Sequence, residues 1–436
     1  MGWNKKFSAG GTPALPCHEV ISEVTVSEFL RVITADQFVQ LLGGFKRLSS
    51  HRAPLDEALD CALFEDITAG EDLPEGARST VDGFAVRAED TFGASDAIPA
   101  FLDVAAAVSM GIKPVFEILP GQAASIPTGG FLPRGADAVV MIEYVNAVGN
   151  GSIEVFKPVT AKTNVVEKGE DVRSGEILIP AGKKLRAQEL GLLAALGIWE
   201  APVYRRPRVT VISTGDELVM IEKKPDPGQI RDANSHSLAA LIRTAGAEPF
   251  VRDIVPDDAA LLKNAISQAL AQTDVTVISG GSSVGARDLA VDVISALPGS
   301  EILAHGAAIR PGKPILLASC NGKAIFGLPG HPVSALVTAQ VFLAPFLQYL
   351  QGSKMVKGPL GQRIQATLAA SFHSTIGLEE YVRARIEENA EGGWIAYPVF
   401  GKSGMLSTLV KADGILMAPM NVEGFSKGAD VQVVRF

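Results

Sequence analysis

The spacing of apolar positions changes period several times along the chain. Thr34-Ala35-Asp36-Gln37 followed by Phe38, Leu41 and Leu42 places a capping box ahead of an i, i+3, i+4 stripe, and Gly43-Gly44 closes it, which predicts a short helix. A second helix is expected over Leu55 to Leu63. From about residue 67 to 165 the pattern shortens to β-type runs such as Val139-Val140-Met141-Ile142 and Ile153-Glu154-Val155-Phe156, separated by Gly and Pro turns. Residues 183–206 return to helix, with the apolar run Gln188 to Leu196 capped by Gly197. The expected layout is a discontinuous N-terminal domain over 27–66 and 166–206, interrupted by a β insert over 67–165.

From Arg208 the pattern alternates: strand at Val209 to Ser213, helices at Ser235 to Ala245 and Ala259 to Leu270, strand at Val275 to Ser279. Alternation of this kind predicts a doubly wound α/β domain, over 207–356, with a parallel sheet covered by helices on both faces. Ligands of such sheets bind beyond the carboxyl ends of the strands. Runs at Pro314 to Ala318 and Ala324 to Leu328 precede a long apolar helix from Val333 to Leu350. Beyond Gly352, runs at Ile364 to Ala370, Tyr381 to Ile386 and Val431 to Val434 predict a β-barrel-like domain over 357–436. The fold class is thus a multidomain chain of α/β and β parts.

Composition narrows the function. A chain of 436 residues exceeds the size of a single core, and a formal net charge of −9 disfavours sequence-independent nucleic-acid binding, so an anionic ligand must be small and held locally. The helix 333–350 is interrupted by Gln340 and Gln348 and is read as a core helix, with no membrane insertion expected. Cys17, Cys61 and Cys320 lie far apart, giving neither a disulfide framework nor a zinc site; Lys5-Lys6 has no apolar run behind it, and residues 1–24 read as a loose extension. A cytoplasmic setting fits these features.

Two strands end in loops of similar logic, Ser213-Thr214-Gly215-Asp216-Glu217 and Ser279-Gly280-Gly281-Ser282-Ser283-Val284-Gly285-Ala286-Arg287-Asp288. Small residues let a phosphate approach free backbone N–H groups, and Glu217 and Asp288 are candidates for a hard cation such as Mg²⁺. A third loop, Arg310-Pro311-Gly312-Lys313-Pro314, offers two cations. A fourth, Gly327-Leu328-Pro329-Gly330-His331-Pro332-Val333-Ser334-Ala335, joins a strand to the long helix. Each is equally readable as an ordinary turn. Gly401-Lys402-Ser403 imitates the end of a P-loop, but Ala396 stands where its first Gly would be. The six histidines are scattered and suit packing or surface positions better than a metal site.

Taken in order, Ser79-Thr80-Val81-Asp82-Gly83-Phe84-Ala85-Val86-Arg87, Pro127-Thr128-Gly129-Gly130, Gly135-Ala136-Asp137-Ala138-Val139-Val140, Lys168-Gly169-Glu170-Asp171, Gly228-Gln229-Ile230 and the later loops resemble the molybdopterin molybdenumtransferases, the family of bacterial MoeA proteins and the E domain of gephyrin. The resemblance runs from about residue 27 to the C-terminus. It implies an elongated four-domain homodimer whose cleft lies between the α/β domain of one subunit and the β insert of the other. It also implies insertion of molybdate, or tungstate, into adenylylated molybdopterin with release of AMP, assisted by Mg²⁺, and hand-over to maturing molybdenum enzymes. Asp82 and Thr128 match cleft residues on the insert; Glu217, Asp257 and Asp288 match acidic, cation-binding positions; Arg310, Arg383 and Ser403 match cleft positions further on. The phosphate-bearing pterin would rest on Ser213, Thr214, Gly215, Gly280, Gly281, Ser283, Gly285, Pro311, Gly312, Lys313, Pro329, Gly330 and Ser334.

The sequence departs from that pattern at Gly306, where a lysine is frequent, at Gly130-Phe131, where Ala-Pro commonly follows the Thr-Gly, and at His331, where Asn is common. His305 or Arg310 is expected to replace the missing cation. Two rivals are a molybdopterin adenylyltransferase, whose single α/β domain resembles 207–350 but lacks the insert, and a non-enzymatic scaffold of the same fold.

Overall fold

The computed structural model describes residues 32–280 and 284–436, without the side chains of 284–288. The expected extension at 1–24 lies outside the described residues, as do Gly281 and Ser283, and of Gly285 and Asp288 only membership of the helix Val284–Ser295 is described.

Strands Arg208–Thr214 and Val275–Gly280 are buried along nearly their whole length, which is why they read as continuous apolar runs. They lie at the centre of a six-stranded sheet ordered 248–251, 208–214, 275–280, 323–328, 316–320, 300–305. The first four strands are parallel; the last two, Leu316–Cys320 and Ser300–His305, pair antiparallel, so the sheet is mixed rather than wholly parallel. The reason is local: 316–320 and 323–328 are joined by the two residues Asn321-Gly322, both at positive φ, a hairpin too short for a parallel crossover. Period-two alternation assigns the faces. Val209, Val211, Val275 and Val277 pack beneath helices Asn234–Thr244 and Pro332–Leu350, whereas Ile212, Ile278 and Ile325 face helices Ala259–Gln272 and Val284–Ser295.

The long helix is apolar and long enough to cross a membrane, and 78% of it is buried inside the protein, as a core helix should be. It contains one π turn, Ala339–Leu343, just before Pro345. Proline has no N–H to return to the carbonyl four residues earlier, and its ring crowds that carbonyl, so the helix widens there.

The helix Ala35–Gly43 forms as the capping box requires, with Thr34 Oγ1 accepting from Gln37 N–H and the Gln37 side chain accepting from Thr34 N–H. Its apolar face leaves the segments that follow it in sequence: Phe38 packs against Phe342 of the long helix, the rings tilted with centroids 4.4 Å apart, and Phe38 and Leu42 belong to the α/β core. The helix expected over Leu55–Leu63 is absent. Ser50–Pro54 is instead a strand paired with Glu200–Tyr204, and turns follow it. Pro54, which pairs with Glu200, ends that strand, and the apolar residues Ala58, Cys61 and Leu63 fill a core with Ile179, Leu185, Leu193 and Val203 without helical spacing. The 183–206 region holds helix Ala187–Ala195, closed by Gly197 at φ 68°, before the strand begins.

Residues 83–155 form a second six-stranded sheet, ordered 138–141, 83–86, 122–126, 100–107, 152–155, 145–149. Strands Glu379–Glu388, Trp394–Pro398, Arg363–Leu368, Asp430–Arg435 and Gly414–Ala418 close into a five-stranded barrel. That barrel is joined to the α/β region by the pairing of Ile309-Arg310 with Glu379-Glu380, and by Lys357, which bridges Asp36 at 2.8 Å and Glu379 at 2.7 Å.

Candidate active site

At the carboxyl ends of the sheet strands two backbones converge. A Cβ placed on Gly280 would lie 2.0 Å from the Thr214 carbonyl oxygen, so only glycine lets these strand ends approach. Thr214 Oγ1 donates to Asp257 Oδ1 at 2.8 Å, and Asp257 N–H donates to Asp216 Oδ1 at 3.1 Å. Glu217 folds back over Gly215, its Oε2 2.7 Å from where a Cβ would stand, and Gly215 N–H donates to Val255 O at 3.3 Å. Glu217 and Asp257 therefore flank the Thr214-Gly215 turn with exposed carboxylates, an oxygen-only donor set that suits a hard cation. Among the described residues no group of three His, Cys, Asp or Glu side chains is gathered, and the side chain of Asp288, the third acid of the sequence reading, lies outside them.

A cleft of about 350 Å³ opens over this turn. Ser213, Thr214, Glu217, Gly280 and Gly330 line it, as the sequence suggests, together with Asp232, Asn234 and His331. Asp232 and Asn234 escape the sequence reading because an acidic or amide residue just ahead of a helix reads as a cap, and Asp232 does accept from Ser235 N–H at 3.1 Å. Their burial, 6% and 9% exposed, is invisible in the sequence. Pro329 lies beneath, in a small cavity it shares with His305, while Ser334 is buried in the first turn of the long helix.

A second cleft, of about 400 Å³, lies between the Arg310-Pro311 loop and the barrel and is lined by Arg310, Pro311, Arg383, Lys402 and Ser403. Arg383 is only 7% exposed and donates to the carbonyls of Val399 at 3.3 Å and Gly401 at 3.1 Å; burial pushes its guanidinium pKa down from the usual value. Arg310 Nε lies 3.7 Å from Glu380. Gly312, at φ 106°, is pressed on the long helix, and a Cβ there would meet Thr338 Oγ1 at 2.0 Å. Lys313 is exposed and lines neither cleft.

The segment 401–406 partitions the two clefts. Gly401, Lys402 and Ser403 face the cationic one, Gly404 and Leu406 the acidic one, and Ser403 O accepts from Val333 N–H at 3.0 Å, which docks the segment on the start of the long helix.

Asp82 and Thr128 stand apart from both. Thr128 donates its N–H and its hydroxyl to Asp82 Oδ1 at 2.7 and 2.9 Å, and these bonds, the amide first, hold the Asp82 carboxyl below the usual range. Both residues are exposed on the insert sheet, and neither lines the two clefts. Gly306 has φ 113°, a backbone that a lysine rarely adopts, and a Cβ there would approach Val32 Cγ2 to 3.1 Å.

Three family models match the chain in order: "MoeA N-terminal region (domain I and II)" over 24–197, "Probable molybdopterin binding domain" over 210–349 and "MoeA C-terminal region (domain IV)" over 365–436. Similar proteins include a molybdopterin molybdenumtransferase of Nostoc sp., 36% identical over 84% of each chain. Another, from Bacillus subtilis, is 32% identical over 92% of this chain and 94% of that protein. A molybdopterin biosynthesis MoeA protein from Pyrococcus horikoshii superposes with a TM-score of 0.80 at 31% identity, covering 93% of this chain and all of that one.

Proposed function

Because the chain belongs to the MoeA family and is a molybdopterin molybdenumtransferase-type enzyme of molybdenum cofactor biosynthesis, we propose that it inserts molybdate into adenylylated molybdopterin with release of AMP. The observation that carries this reading is the pair of clefts divided by residues 401–406: one offers carboxylates and close-packed glycine turns, the other the cations Arg310, Arg383 and Lys402 beside a single carboxylate, Glu380. The first suits a phosphoanhydride beside a divalent ion, the second a dianionic oxyanion.

Glu217 and Asp257 would hold Mg²⁺, with Asp288 as the expected third ligand; the ion would supply Lewis acidity to the anhydride as it breaks. The chain's own part is positional. Thr214 fixes Asp257 through its hydroxyl, the Gly215 and Gly280 turns admit the phosphates, and Arg383 with Arg310 and Lys402 draws the oxyanion to the other side of the divide. Asp82 and Thr128 line neither cleft of their own chain. That favours a cleft completed by the insert of a second copy, in a homodimer acting in the cytoplasm. The discontinuous domain 27–66 with 166–206, the insert 67–165, the α/β domain 207–356 and the barrel 357–436 are the units we assign to that assembly.

The test is AMP release from adenylylated molybdopterin. Molybdate-dependent release that disappears in Glu217→Ala, at unchanged thermal stability, is the expected result. AMP transfer from ATP onto molybdopterin would instead favour an adenylyltransferase.

A further inference from the structure

Three polar side chains on the floor of the acidic cleft remain unused. Ser213 and Ser279 are neighbours across paired strands, and Asn234 donates both amide hydrogens, to Ser279 Oγ at 2.9 Å and to Gly330 O at 2.8 Å. A carbonyl can only accept, so the Gly330 contact fixes which end of the amide is nitrogen and leaves Asn234 Oδ1 an acceptor without a partner. Ser213 Oγ is also buried without a partner. Asp232 is 94% buried by its 6% exposure, keeps one helix-capping bond to Ser235 N–H, and has no cationic partner among the described residues. Asn234 Oδ1 and Ser213 Oγ are thus buried polar atoms that donors on a ligand would satisfy. All three residues line a slot whose sides include the apolar Leu218, Ile230, Pro332 and Leu406, with Glu217, Arg231 and His331 also lining it.

A slot with largely apolar sides, and with Asp232 and the unpartnered Asn234 Oδ1 and Ser213 Oγ in its lining, fits a flat heterocycle that presents neighbouring N–H donors. We propose that Asp232 reads the amino-pyrimidine edge of the substrate's pterin, accepting side by side from the ring N3–H and the 2-amino group, with Asn234 and Ser213 supplying the remaining acceptors. A carboxylate is matched by two parallel N–H donors, the arrangement of its bidentate arginine pairs. Adenine offers one amino group between ring nitrogens that accept, and fits such a floor less well. Asp232 is thereby a specificity residue, and the inference rests on the transferase reading above.

The test titrates the full-length protein with 6-hydroxymethylpterin and with its 2-oxo counterpart, 6-hydroxymethyllumazine, by ligand fluorescence. Wild type is expected to bind the pterin at least tenfold more tightly than the lumazine. Asp232→Asn, which turns an acceptor into a donor, should abolish that preference while leaving the thermal midpoint unchanged or higher. Ser213→Ala, which removes only an orphaned hydroxyl, should weaken the pterin severalfold without loss of stability, and it keeps the test open should Asp232→Asn fail to fold. Equal binding of the two heterocycles by wild type, binding of neither, or a preference that survives both substitutions overturns the inference. Wild-type protein without molybdate-dependent AMP release overturns the transferase reading instead, so the two failures are distinct.

Discussion

Asp82 is exposed, yet Thr128 holds its charge in place with two hydrogen bonds to a single oxygen. The Thr128 amide is the larger cause of the lowered pKa, so Thr128→Val, which keeps the amide and deletes the hydroxyl, should raise the Asp82 midpoint only part of the way toward the ordinary value of about 3.9. Carboxyl carbon NMR reads this directly. Because the folded pKa is depressed, whatever the bonds contribute to stability is present above the unfolded pKa and is lost as pH falls through the folded one. Asp82 is therefore charged throughout the neutral range in either variant. Gly306 stands where a lysine is frequent in the family, so the cation must come from elsewhere. His305 lines the small cavity with Thr214 and Leu316, whereas Arg310 lines the cationic cleft with Arg383. An imidazole would lose its charge above about pH 6.5, but guanidinium groups keep theirs. The apparent molybdate constant should thus be flat from pH 6 to 8 and unmoved by His305→Ala; a rise with pH that this substitution removes would assign the role to the histidine.

Among the elements, the loop 310–313 depends most on one residue. Gly312 sits at φ 106° against Thr338, so Gly312→Ala meets both backbone strain and a collision with the long helix. It should lower stability by about 2–4 kcal/mol in chemical denaturation and weaken oxyanion use, because Arg310 rides on the same loop. An Ala variant with wild-type stability would mean that the loop is not seated as described. The elements also show what the sequence could and could not convey. The capping box at Thr34–Gln37, the fully buried runs at 208–214 and 275–280 and the Gly-rich turns after them are local signals and could be read directly. The packing of Phe38 on Phe342 and the pairing of 50–54 with 200–204 are contacts between residues far apart, and no spacing announces them. The same holds for Asp232 and Asn234, whose residue types suggested caps and whose burial beneath the cleft is a tertiary fact.

For the whole molecule the central question is how the acid and hydroxyl of the insert meet the carboxylates of the α/β sheet. Asp82 and Thr128 line neither the acidic nor the cationic cleft of their own chain. If a second copy brings them there, the protein in solution has about twice the chain mass of 45.7 kDa, in keeping with the prevalence of two-fold homo-oligomers. Light scattering at micromolar concentration checks the mass, but not which residues share a site. The decisive measurement is complementation between Asp82→Ala and Glu217→Ala, each expected to be inactive alone. In a purified dimer carrying one subunit of each, a cleft shared between subunits leaves one site with both residues intact and the other with neither. Such a dimer should release AMP in response to molybdate at about half the wild-type rate; a mixed dimer as inactive as its two parents, beside an active wild type, would contradict the shared cleft.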